Sequence, residues 1–170
     1  MAAKKAISRP QIGIVGFGRM VEVFHLPQLR KSGWQVNAVM DITKSRCNIA
    51  ANKRIPNVYT NMSDFLNSDI IKSLDAVLIS THTAVRRKVT RPLTQHGLHL
   101  LIEKPLATTS REAESICKDC EDAGVLLSVH HNRRFDPDML NVYKAAISSK
   151  HIGNIFYVEN RYFTDQPSYQ

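Results

Sequence analysis

Six short apolar runs, separated by segments of helical length, constrain this chain more than any other feature. They are QIGIVGF (11–17), QVNAVMDI (35–42), NVYT (57–60), DAVLIST (75–81), HLLIE (99–103) and VLLSVH (125–130). Most are rich in Val, Ile and Leu without strict polar alternation, as strands covered on both faces should be. Repeated strand–helix–strand units imply a parallel sheet with right-handed crossovers, and so an α/β fold with a doubly wound parallel sheet. The clearest helix spans 110–123: Thr109 caps it, Glu112 completes a capping box, and Gly124 ends it. Pro27 and Pro92 fall inside two other helical segments and predict a kink or an early stop there.

Composition narrows the function classes. The 170 residues suit one domain with a sizeable core, or one domain and part of another. With 43% hydrophobic residues and mixed charge the chain reads as globular. No apolar run reaches the ~18 residues of a membrane span, and the opening MAAKKAISRP lacks the apolar core of a secretion signal. The net charge of +8 is scattered, with no basic stripe interleaved with aromatics, which argues against a nucleic-acid partner. Three cysteines argue for a reducing, cytoplasmic setting. Cys117 and Cys120 spell C-x-x-C but share a helical face with Ala113 and Gly124, and Cys47 supplies no second pair for zinc. They read as small buried hydrophobes.

The first run leads into VGFGRMV, with Gly16 and Gly18 spaced as in a phosphate-binding turn and Val21 where a third glycine would stand. Such a motif either turns a corner or holds a nucleotide, and its context favours the second. A strand precedes Gly16, a helix follows Gly18, and Asp41 closes the next strand. Gly16 permits the tight turn, and Gly18 lets the backbone approach a pyrophosphate. The amides through Arg19 and Met20 offer unpaired N–H groups at a helix start, and Asp41 takes the ribose hydroxyls. A carboxylate at Asp41 repels a 2′-phosphate and favours NAD, although Lys44 and Arg46 follow closely and leave NADP open. Val21 is expected to hold the helix further from the sheet than glycine would.

After residue 131 the pattern changes. DPDMLNVYKAAISSKHIG (136–153) reads as one amphipathic helix and NIFYVENRYF (154–163) as a half-buried strand. We expect a dinucleotide-binding domain over 10–131. Residues 132–170 are expected to form a linker helix and the first strand of a second α+β domain, cut short soon after it begins.

LLIEKPLATT (100–109), HHNRRFDPDM (130–139) and GNIFYVENRYF, together with GIVGFGRM and VFHLP, resemble the Gfo/Idh/MocA family of NAD(P)-dependent oxidoreductases, in order and spacing, over essentially all of 10–163. The resemblance implies a Rossmann domain and reversible hydride transfer between NAD(P) and an alcohol carbon of a sugar, an inositol or a related compound. It places Lys104 beside the nicotinamide and the reacting carbon–oxygen bond as the catalytic residue. Glu103, Thr81, Asn132 and Arg133 are implied on the cofactor side. Arg133 and Arg134 alternatively pair with Asp136 or Asp138. The chain departs from the family at THTAVR (81–86), where His82 replaces proline and Arg86 stands where histidine is usual. Arg86, Arg87, Lys88 and Arg91 read as one solvated helix face. No D-x-x-x-H element appears before Gln170, so the competing reading is a non-catalytic nucleotide-binding or scaffold protein. Homo-oligomers are common among related enzymes and are open here.

Overall fold

The computed structural model describes residues 9–148, 153–159 and 161. Six strands, β1 (Gln11–Val15), β2 (Gln35–Met40), β3 (Asn57–Tyr59), β4 (Ala76–Ile79), β5 (His99–Glu103) and β6 (Leu127–His130), form one sheet in the order β3-β2-β1-β4-β5-β6. Every neighbouring pair is parallel. The expected strands are all present, shortened at their ends where the chain leaves the ladder.

Period-two alternation sends each strand's side chains into two separate core layers. Ile12, Ile14, Ala76 and Leu78 face one layer with Leu26 and Leu29 of α1 (Leu26–Lys31) and Ala50 of α2 (Lys44–Asn52). Val15, Val77, Ile79, Leu100 and Ile102 face the other, against Phe65 of α3 (Met62–Asn67), Leu93 of α4 (Arg86–Gln95) and Ile116 of α5 (Ser110–Asp122). Helices therefore cover both faces, which is the doubly wound arrangement. On β2 the ladder bypasses Asn37, so Val36 and Ala38 pair with consecutive residues Ile12 and Gly13. Asn37 is buried, and its amide nitrogen donates to the Gln11 side-chain oxygen.

Local sequence sets the helix ends. The Thr109 hydroxyl accepts the Glu112 N–H at 3.2 Å, as a cap should, while the Glu112 carboxylate turns to Thr108 and accepts its hydroxyl at 2.5 Å. Pro27 lies in the first turn of α1, directly after a π-helical segment, Val21–His25. Pro27 has no N–H to offer the carbonyl four residues back, and the wider turn closes instead through Leu26 N–H to Val21 O. Pro92 sits within α4 and does not end it.

The chain divides into two compact units, Met1–His130 and His131–Gln170. In the second, α6 (Pro137–Tyr143) leads into a π-helical turn, Lys144–Ser148. The expected strand over 154–163 is not formed in its described part: residues 154–159 take no ladder partner. An apolar strand needs a neighbour for its N–H and C=O groups, and none is offered there. The rest of that strand and the end of the helix expected to 153 lie outside the described residues.

Candidate functional site

The sheet reverses its winding between β1 and β4, and the crevice outside the carboxyl ends of strands at such a point is where ligands bind in open α/β folds. The hollow at this crevice, ≈ 490 Å³, is lined by Gly16, Gly18, Asp41, Thr81, His82 and Val85 among others. The two glycines differ in what they do. Gly16 has φ +88°, and a Cβ there would lie 2.6 Å from the Ser80 carbonyl oxygen, so the turn from β1 admits no side chain. Gly18 meets nothing within 4 Å: a side chain would project into open space at the cleft. Arg19 and Met20, which follow, are exposed.

Asp41 braces this turn. One carboxylate oxygen accepts the Phe17 N–H at 2.6 Å and the other the Thr43 N–H at 2.8 Å. Arg46 is tied to Glu22 at 3.2 Å, whereas Lys44 is exposed. Val21 is fully buried in the core layer beneath the turn. The Thr81 hydroxyl oxygen is buried and has no hydrogen-bond partner. His82 caps the short turn that follows, its Nδ1 accepting the Ala84 N–H at 3.4 Å. An open backbone at Gly18, a carboxylate at the end of β2 and an orphaned hydroxyl at Thr81 fit a dinucleotide.

The turn after β5 carries Lys104, which is exposed, and the Lys104–Pro105 peptide bond is cis. Its support was not foreseen. Arg86, expected on a solvated face, is only 4% exposed. Its guanidinium donates to the carbonyls of Glu103 and Pro105, on either side of Lys104, and to Thr81 O at 3.1 Å. Arg87, Lys88 and Arg91 do face solvent. The reason is helical phase: Arg86, Thr90, Leu93 and Thr94 form the buried stripe of α4. That spacing was a usable signal.

Glu103 does not line the cleft. Its Oε1 lies 2.6 Å from His25 Nε2 and 2.9 Å from His130 Nδ1, and its Oε2 accepts the Lys104 N–H at 3.1 Å. Burial lowers the pKa of His25 below the ordinary imidazole value, with the hydrogen bond and charge of Glu103 opposing and His130 adding to the fall. Burial raises that of Glu103, but the two histidines outweigh it and leave the carboxyl below its usual range. His25 shares a helical stripe with Val21 and Leu29, all buried, and this was the signal for its placement.

Asn132 and Arg133 belong to the second unit, on a short turn, Asn132–Phe135. Arg133 pairs with Asp136 at 3.0 Å. Of the thiols, Cys47 and Cys120 are buried; burial raises the first and pushes the second up to about 11. Among the described residues no helix is long and apolar enough to cross a membrane.

Comparison with known proteins gives these features a context. Residues 11–131 match the model of the Gfo/Idh/MocA family, described as an oxidoreductase family with an NAD-binding Rossmann fold. The scyllo-inositol 2-dehydrogenase (NADP(+)) IolW of Bacillus subtilis is 28% identical over 145 residues, covering 85% of this chain and 39% of that protein. The D-xylose 1-dehydrogenase (NADP(+)) 2 of Haloferax volcanii is 31% identical over 126 residues, 74% of this chain and 38% of that protein. The WlbA dehydrogenase of Bordetella pertussis, solved with NADH and UDP-GlcNAcA, superposes with a TM-score of 0.77 at 24% identity, over 85% of this chain and 43% of that one. The chain thus spans about two fifths of the length of these relatives. It belongs to the Gfo/Idh/MocA oxidoreductase family, whose NAD-binding Rossmann domain it carries.

Proposed function

We propose that this chain supplies the cofactor-binding half of an oxidoreductase acting on an alcohol carbon of a sugar- or inositol-like small molecule in the cytoplasm. One observation carries the reading: Gly18, Asp41 and the unpartnered Thr81 hydroxyl converge on the crevice between β1 and β4. The amides from Gly16 to Met20 hold the diphosphate, Asp41 holds the adenosine ribose, and Thr81 offers its hydroxyl to the bound cofactor. The nicotinamide, when bound, supplies the hydride acceptor. Lys104 presents its ammonium to the substrate oxygen and stabilises charge there, from a turn that Arg86 fixes on both sides. The inositol and xylose dehydrogenases among its relatives support the substrate class. Those two are named for NADP(+). Here the carboxylate at Asp41, with Arg46 engaged by Glu22, supports NAD over NADP.

The test is a fluorescence titration of the folded chain with NADH and NADPH, paralleled by thermal shift. NADH is expected to bind about tenfold or more tightly than NADPH, a difference of about 1.4 kcal/mol. A folded chain that binds neither coenzyme at about 1 mM, where affinity is worth only about 4 kcal/mol, overturns the reading.

A further inference from the structure

The His25–Glu103–His130 cluster lies apart from the residues that line the glycine cleft, and its chemistry is that of a metal centre. Three independent elements build it. His25 comes from the buried stripe of the first helical segment. Glu103 and His130 are Cα partners in register at the carboxyl ends of β5 and β6. The rings of His25 and His130 meet edge to face with centroids 4.7 Å apart, so both imidazoles converge on one carboxylate oxygen.

We infer that His25 Nε2, Glu103 Oε1 and His130 Nδ1 bind a divalent transition-metal ion of the zinc type. Two imidazole nitrogens and one carboxylate oxygen form a donor set that zinc favours, and three protein ligands leave a fourth position for water or another oxygen. The three donor atoms lie within 4.8 Å of one another. Tetrahedral bonds to zinc would hold them about 3.3 Å apart, so each nitrogen must draw back from the carboxylate oxygen by less than about 1 Å, while the two nitrogens, within 4.8 Å of each other, close by at most about 1.5 Å. An ionised Glu103 carboxylate can only accept, so in the metal-free cluster the nitrogen of each ring that faces it carries the N–H. On binding, each neutral ring carries its proton on the other nitrogen, and no net charge is lost. Access is from the β6 side: the His130 side chain is 34% exposed, against 7% for His25 and 13% for Glu103. The Arg86 guanidinium, bonded to the Glu103 carbonyl, is a cation that opposes a metal ion there, so an affinity of about micromolar is expected. Among the described residues no cysteine belongs to the cluster.

The experiment uses the full chain, stripped with chelator and dialysed against Zn²⁺, with Co²⁺ as a spectroscopic probe and no coenzyme present. One equivalent of metal is expected, with visible Co²⁺ absorption and no thiolate charge-transfer band. His130→Ala, on a strand edge and checked for folding by circular dichroism, and Glu103→Gln should each weaken uptake by at least about tenfold. His25→Ala removes a buried ring and is only a supporting variant. The inference is overturned if the wild type takes up neither metal at about 100 μM, a generous excess over micromolar affinity. Unchanged uptake in folded His130→Ala and Glu103→Gln also overturns it, as does a thiolate band that vanishes in Cys117→Ser/Cys120→Ser. Because no coenzyme is used, failure here leaves the dinucleotide reading standing.

Discussion

Gly16 and Gly18 are two residues apart and answer to different demands. Gly16 is required by the fold: its φ of +88° and a Ser80 carbonyl oxygen 2.6 Å from where a methyl would sit exclude a side chain. Gly16→Ala should cost about 2–4 kcal/mol in urea unfolding. Gly18 is unobstructed, so Gly18→Ala should cost at most about 1 kcal/mol, the difference between the two residues at a helix cap. Its NADH affinity should nonetheless fall by about tenfold or more, because the added methyl enters the space a diphosphate needs. The thiols separate in the same way. A pKa raised to about 11 leaves roughly one Cys120 in a thousand as thiolate at pH 8, and only the thiolate is nucleophilic. Burial raises Cys47 too, so in an iodoacetamide time course read by mass spectrometry Cys117 should label about tenfold faster than either. At this scale the place of Asp41 just past β2 followed from the strand pattern, and the tight turn at Gly16 was legible because turn chemistry is local. The partners of Glu103 were not: His25 and His130 lie 78 and 27 residues away along the chain, and only the sheet brings them together.

Strands of the sheet were readable because central parallel strands must be apolar on both faces, whereas the helices here bury a single stripe. The helix over 110–123 was readable by its cap, Thr109, whose hydroxyl accepts an N–H from the first turn. What the pattern concealed was phase within α4, where four basic residues in six positions suggested a single solvated face. Arg86 belongs instead to the stripe of Thr90 and Leu93 and stands between β4 and β5. Arg86→Ala should therefore destabilise by about 2–4 kcal/mol, since a buried guanidinium and its bonds to three carbonyls are lost, whereas Arg87→Ala should stay within about 0.5 kcal/mol. Urea midpoints of the two variants, at equal slope, distinguish them. In its described part the strand expected over 154–163 is not formed, for a reason at this same scale: alternation marks a face to be buried, but a ladder needs a second strand.

For the whole molecule, ligand and stability are linked. A coenzyme that binds only the folded state at a hundred times its Kd should add about 2.7 kcal/mol to the unfolding free energy, visible as a rise in Tm. In Asp41→Ala the same concentration of NADH should give a smaller rise, because the variant loses the brace on the Phe17 amide and, on the proposed reading, the ribose acceptor. The described chain has two compact units, and the residues that line the glycine cleft all lie in the first, Met1–His130. The sequence announced that first unit through six strands and their crossovers. It said less of the second, where a short helix and an irregular segment carry exposed Phe135, Tyr143 and Phe156.

The guanidinium of Arg86 clamps carbonyls at the end of β4 and on both sides of Lys104. Local opening of α4 must release all of them at once. Deuterium should consequently enter the amides of the first turn of α4 and those of Lys104, Leu106 and Ala107 at one shared rate, and coenzyme should slow both together. A variant without that clamp should let the two segments exchange independently.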